Sequence, residues 1–231
     1  MLLEVIAINL TDVKDAEKYG ADRIELSPAM NELGITPSYG LIEAAVQAVD
    51  IPINVIIRPH SQSFTYNQND IETMKSDIRM VKKLGANGIV IGPLTTKQTI
   101  DEEVLRELLD VSGDLEVTIH RAFDFARDQV EALKCLTKFK QITTILTAGG
   151  NYNAPDAVKE INHLLDLSRD SHLSLMIGHG LRIESFQSFL QQVQGEPSAV
   201  HFGSGARVNN DFAYTLDESK IKQIKQIMTS A

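Results

Sequence analysis

One cysteine, Cys135, stands alone in 231 residues, so no internal disulfide forms and no thiolate cluster can hold a metal. No apolar run approaches the roughly 18 residues that span a bilayer, and no basic, apolar leader precedes the first strand-like run at Met1-Leu2-Leu3-Glu4. Positive charge is scarce too. With 22 Lys and Arg against 31 Asp and Glu, the formal charge is −9, which disfavours nucleic acid or an anionic membrane as the main partner. A small anionic ligand is still admissible, because a pocket can be locally positive on an acidic protein. There is no Ser/Pro/Gly-rich linker, charge block or low-complexity segment at which the chain divides. These absences lead us to expect a cytoplasmic protein of one domain, residues 1–231.

The chain instead carries one repeated rhythm. Short β-branched runs alternate with amphipathic stretches, and Gly, Pro, Asn or Asp mark the joins. The strand-like runs are Leu2–Ile8, Arg23–Leu26, Ile53–Ile57, Gly88–Ile91, Leu115–Ile119, Ile142–Thr147, Leu173–Ile177 and Ala199–Phe202. Helical stretches follow each, roughly Val13–Tyr19, Ser38–Val49, Asp70–Leu84, Asp101–Leu109, Gln129–Phe139, Pro155–Leu167, Ile183–Gln191 and Glu218–Met228. Thr11, Thr36 and Asp70 read as N-caps, and Gly20 and Gly85 as left-handed helix ends. Such alternation means parallel pairing, and eight units make an α/β fold, the (β/α)₈ TIM barrel. An open doubly wound sheet is the alternative, but no glycine-rich dinucleotide fingerprint follows the first strand.

In a barrel, alternate strand residues face inward, and those at strand C-termini line the mouth. Parity then places Glu4, Glu25, Arg58, His120, Thr147, Met176 and His201 inside. Burying unpaired charge costs several kcal/mol, so this set is either a neutralised ion network, with Glu4 or Glu25 on Arg58, or a functional mouth. As a mouth, Glu25, Arg58 and His120 are the catalytic candidates. His120 titrates nearest neutral pH and can move a proton, Glu25 can orient it or act as a base, and Arg58 offers a fork for a carboxylate or phosphate. Arg121 and Asp124 would brace the loop or meet ligand. Gly178-His179-Gly180 and Gly203-Ser204-Gly205 follow the last two strands, where barrels often bind phosphate. There Ser204 and Arg207 would contact the anion, and Thr147 with Gly149-Gly150 would line the adjoining wall. No HExxH, EF-hand, Walker or GxSxG pattern occurs, although Glu4 and Glu25 could share a divalent ion.

Several segments are distinctive in their order. Ala21-Asp22-Arg23-Ile24-Glu25-Leu26, Gly34-Ile35-Thr36-Pro37-Ser38, Ile56-Ile57-Arg58-Pro59, Ile119-His120-Arg121-Ala122-Phe123-Asp124 and Leu146-Thr147-Ala148-Gly149 span nearly the whole chain. Together they resemble the copper homeostasis protein CutC family. The resemblance implies a TIM barrel, a homo-oligomer (often a dimer), a cytoplasmic setting, and a part in copper handling with Cu(I) held by cysteines in some members. Where such members carry cysteine near the ends of the first two strands, this chain has Ala7 and Ser27. His120, Met176 and His201 are the remaining candidates for a mixed copper site, since soft Cu(I) prefers sulfur and then imidazole. His60 and Leu33 also depart from the family pattern, which has arginine and glycine there. Three readings follow: a copper-homeostasis binder, a barrel enzyme acting on a small anionic or phosphorylated compound, and a non-catalytic binding barrel.

Overall fold

The computed structural model describes residues 1–150 and 153–230. Eight parallel strands close on one another in sequence order, β1 Leu2–Ala7, β2 Arg23–Leu26, β3 Ile53–Ile56, β4 Gly88–Ile91, β5 Glu116–Ile119, β6 Ile142–Thr147, β7 Ser174–Gly178 and β8 Ala199–Phe202. An α-helix follows each strand: α1 Leu10–Tyr19, α2 Tyr39–Ala48, α3 Gln68–Leu84, α4 Glu102–Ser112, α5 Gln129–Leu136, α6 Val158–Ser168, α7 Ile183–Leu190 and α8 Glu218–Ser230. This is the (β/α)₈ barrel that the alternation predicts.

The outward faces of the strands carry the apolar payload. Val5, Ile24, Val55, Ile89 and Val117 are fully buried beneath Val13, Ile42, Ile78, Leu105 and Ile161 of the helices. Each such side chain contributes about 1.5–3 kcal/mol by leaving water. Inside the barrel the filling is mixed. Leu146, Met176 and Ala199 form a small apolar cluster, and Glu4, Arg23, Glu25 and Asn54 are buried beside the same interior.

The helix starts differ from the expected caps in an instructive way. Asn9, not Thr11, caps α1 by accepting from Asp12 N–H at 2.9 Å. Ser38 caps α2, while the Thr36 hydroxyl accepts from the Arg58 backbone at 2.9 Å. Asn67 caps α3, and Asp70 is the reciprocal member of its capping box. α1 and α3 wind back, and α2 starts two residues later, each at the point where a short polar side chain meets the free amides. Gly20 and Gly85 do end α1 and α3 in left-handed conformations, at φ 102° and 83°.

One inward assignment is overturned. Val117 pairs with Ile142, but Thr118 pairs with Thr144, so Thr143 is an extra residue at a β-bulge. A one-residue insertion reverses the alternation beyond it. Leu146 therefore faces the interior, and Thr147 turns away from it.

Candidate functional site

A cavity of about 330 Å³ opens at the C-terminal end of the barrel, which is the size of a small-metabolite pocket. Its floor and walls include Glu25 from β2, His120 just past β5, Leu146 from β6 and His201 from β8. Arg121, Gly180, Gly203, Ser204 and Gly205 also reach it, as expected of the loops after β5, β7 and β8. Glu4, Arg58, Asp124, Thr147, Met176 and Gly178 stand behind this lining and not in it.

The β8–β1–β2 side is a chain of buried ionic groups. Arg23 Nε donates to Glu4 Oε2 at 2.5 Å, His201 Nδ1 donates to Glu4 Oε1 at 2.7 Å, and His201 Nε2 lies 3.5 Å from Glu25 Oε2. Burial opposes charge on His201, but its bond to Glu4 and the fields of Glu25 and Glu4 outweigh it, so the imidazole holds its proton above the usual range. Burial also works against Glu4, yet His201 and Arg23 keep it ionised below the usual range. Glu25 faces the cavity without such compensation. Burial first, and then the neighbouring Glu4, outweigh His201 and Arg23 and push its carboxyl up to about 7. The cation on Glu4 is therefore Arg23, and the expected partnership with Arg58 does not form.

Arg58 is instead a clasp. Its guanidinium donates to the carbonyls of Glu32, Gly34 (2.8 Å) and Ser61 (3.1 Å), and it stacks 4.9 Å from the Phe64 ring centre. It ties the loops after β2 and β3 together over the mouth, so its fork is directed at the chain. Arg207 is committed in the same manner, pairing with Asp12 at 2.6 Å and donating to the Ile6 and Tyr214 carbonyls. It adds no charge to the pocket.

The β3–β5 side holds the least expected feature. His120 Nδ1 accepts the Ala122 backbone N–H at 3.0 Å, which in a neutral ring places the proton on Nε2. That Nε2 is buried and has no partner among the described residues. Burial, then the charges of Arg58 and Arg121, lower this imidazole to about 3. His120 is thus a neutral donor across the physiological range, and the expectation that it titrates near neutrality is corrected. Phe64 packs 5.0 Å from the ring, and a side chain at Gly92 would overlap ring atoms Cε1 and Nδ1.

Asp124 binds the loops after β5 and β6 into one unit. It accepts from Arg121 Nε (2.9 Å), Thr147 Oγ1 (2.6 Å), Ala148 N (3.0 Å) and Gly150 N (3.1 Å). Among the described residues the terminal nitrogens of Arg121 make no hydrogen bond, and the residue lines the cavity. Gly178 has no side chain because Leu146 and His201 would stand 2.8–2.9 Å from its Cβ. The parity argument missed Arg182 and His179, which also border the cavity. His179 is a non-glycine residue at φ 75°, a conformation common where function outweighs strain. Arg182, exposed at the rim, makes no side-chain hydrogen bond or ion pair among the described residues. Its signal was its place two residues after the Gly-His-Gly loop.

The residues do not suit Cu(I). Cys135 is half-buried on α5, remote from the mouth, and burial and then Glu102 push its thiol up to about 11. Met176 accepts from Arg23 Nη2 at 3.4 Å in the interior, and Met30, the thioether at the cavity wall, accepts from the Ser27 hydroxyl at 3.4 Å. Among the described residues, the His/Cys/Asp/Glu group whose ligand atoms lie within 4.8 Å of one another is Glu4, Glu25 and His201. Two carboxylates and an imidazole are a harder set than Cu(I) prefers. The Arg23 cation on Glu4 and the proton on His201 oppose any cation there.

The chain is a closed (β/α)₈ barrel with an ionic cavity at its strand C-termini, the face at which barrel enzymes place their sites. Comparison narrows this class: the CutC family model matches residues 1–203, and the chain belongs to the CutC family. It is 37% identical over 212 residues to a CutC family protein of Yersinia pestis (strain Pestoides F), covering 92% of this chain and 82% of that protein. It is 34% identical over 220 residues to the human protein named copper homeostasis protein cutC homolog, covering 95% and 78%. Among solved structures, the copper homeostasis protein CutC from Streptococcus agalactiae superposes with a TM-score of 0.80 at 31% identity, covering 88% of this chain and 98% of that one. Among the described residues no helix is long and apolar enough to cross a membrane.

Proposed function

We propose that this chain serves copper homeostasis, the role printed in the name of its human relative, and does so as a cytoplasmic homodimer whose mouth handles a small anionic molecule. Copper coordination by the chain itself is not part of this reading, because the sulfur donors are dispersed and the mouth is built of carboxylate, imidazole and guanidinium. The observation that carries it is that one small cavity has in its lining both a buried carboxyl pushed up to about 7, Glu25, and a neutral imidazole unpartnered among the described residues, His120. Such a pair suits proton transfer. Arg121 and Arg182 at the rim supply attraction for an anion on a protein that is otherwise acidic.

Two titrations test the reading together. Anaerobic titration with Cu(I) against a competing chelator should show no tight stoichiometric site. Thermal melts should show stabilisation by small carboxylates or phosphate esters, worth about 2.7 kcal/mol at a hundredfold excess over Kd. The shift should fall in Arg182→Ala and Arg121→Ala. A tight Cu(I) site, or indifference to every anion, would refute the proposal.

A further inference from the structure

We propose that the cavity takes a small carbonyl compound bearing an anionic group and moves one of its C–H protons, with Glu25 as the base and His120 as the donor to the carbonyl oxygen. This rests on the small-anion reading and narrows it to one substrate class and one kind of step.

The argument starts from a donor with nothing to bind. The Ala122 N–H occupies His120 Nδ1, so the ring carries its proton on Nε2, and that group is buried without a partner among the described residues, on a side chain that contributes to the cavity lining. An unmatched buried donor costs about 1–3 kcal/mol. The chain keeps it in place at further expense, since Gly92 leaves room for the ring and Phe64 packs on its face. A ligand oxygen at Nε2 would remove that penalty. Because the imidazole is neutral, it favours an oxygen that gains charge during reaction over a proton acceptor at rest. A carbonyl oxygen becoming an enolate oxygen is such a group, and the hydrogen bond strengthens as charge develops.

Glu25 supplies the complementary half. It projects from β2, three strands round the closed barrel from β5, and lines the same cavity. Behind it the Arg23–Glu4–His201 chain fixes its surroundings, with Arg23 on its own strand, Glu4 on β1 and His201 on β8. These three are positioning residues. On the cavity side Glu25 shares the lining with His120, Arg121 and His179.

The step balances without any co-reactant. The Glu25 carboxylate removes a proton from the carbon next to the carbonyl. The C–H electron pair becomes the C=C bond of an enolate, and the carbonyl π pair moves to the oxygen held by His120 Nε2–H. Return of the proton from the Glu25 carboxyl to the same carbon gives exchange or epimerisation, and return to the former carbonyl carbon of a hydroxy-ketone, with its hydroxyl proton moving to the enolate oxygen, gives the isomeric aldehyde. A carboxylate base facing a neutral imidazole is an established division of labour for such reactions. The anionic end would meet Arg121 and Arg182.

Dihydroxyacetone phosphate, pyruvate and 2-oxoglutarate are each incubated with the protein in D₂O. C–H to C–D exchange is followed by ¹H NMR, and binding is read separately by thermal melt. We expect at least one probe to exchange a hundredfold faster than in buffer, with the rate rising as pH passes through about 7. Glu25→Gln should remove this acceleration while keeping the melting shift, and His120→Leu should reduce it at least tenfold. Gly92→Ala, which displaces the ring while keeping both Glu25 and His120 in the chain, should do the same. Stabilisation by a probe without exchange above buffer would overturn this inference and leave the small-anion reading standing. Absence of stabilisation by all three would overturn both.

Discussion

On the β8–β1–β2 side of the mouth the buried ionic groups answer one another, Arg23 on Glu4, Glu4 on His201 and His201 toward Glu25. On the β3–β5 side, His120 Nε2 is buried with no answer among the described residues. Both sides are equally removed from water, so burial alone does not separate them. The difference lies in what completes the hydrogen bonds. The first side is completed by the protein itself and stabilises the fold as it stands, whereas the second keeps a donor that the proposed ligand would complete.

That contrast breaks most readily at Glu4. Glu4→Ala leaves the Arg23 and His201 cations buried without their carboxylate, and should cost about 3–5 kcal/mol in urea denaturation. A loss below 1 kcal/mol would mean that the network is solvated and not structural.

Glu25 gives the next largest effect, as a pH dependence with a definite sign. Its folded carboxyl titrates near 7, above the ordinary value of 4.5, so the folded state binds the proton more tightly. The stabilisation from protonated Glu25 is complete below 4.5 and is lost as pH rises toward 7. Glu25→Gln does not titrate, so its stability relative to wild type should climb through that window, by at most about 1.4 kcal/mol per pH unit, and level off above it. A flat difference would show Glu25 to be ionised throughout.

Arg58→Leu should cost about 2–3 kcal/mol through loss of charged hydrogen bonds to three carbonyls. Hydrogen exchange at residues 32–34 should accelerate. If anion binding vanished with no change in exchange, Arg58 would be a ligand contact and not a clasp.

The smallest effect is expected far from the mouth. Cys135→Ser should change stability by no more than about 1 kcal/mol, because the residue is half-buried and its thiol stays protonated. Iodoacetamide should label Cys135 slowly at pH 8, and rapid labelling would contradict the raised thiol.

Much of this was legible in residue order. Period-two runs and glycine stops revealed every strand, and parity brought Glu25, His120 and His201 to the interior because β2, β5 and β8 are regular where these residues sit. Thr147 was misplaced because the bulge at Thr143 leaves no mark on composition, while it reverses everything beyond it. Arg58 was assigned a ligand because its position was readable but its partners were not. They are backbone carbonyls of the loops after β2 and β3, and any sequence presents carbonyls. Arg23 shares the parity of Glu25 and was overlooked beside a more conspicuous strand-end arginine. The neutral state of His120 comes from burial and the charges of Arg58 and Arg121, its tautomer from one backbone amide, that of Ala122, and its placement from the room left at Gly92. A motif names the residue and says nothing of these.

The contrast between the two sides is tested most directly by the ¹⁵N spectrum of the histidine rings at pH 6.5. The account predicts that His201 is a doubly protonated imidazolium while His120 is neutral, with its proton on Nε2. If both rings titrated together near their ordinary value, or if His120 carried its proton on Nδ1, the unpaired donor at the centre of this account would not exist.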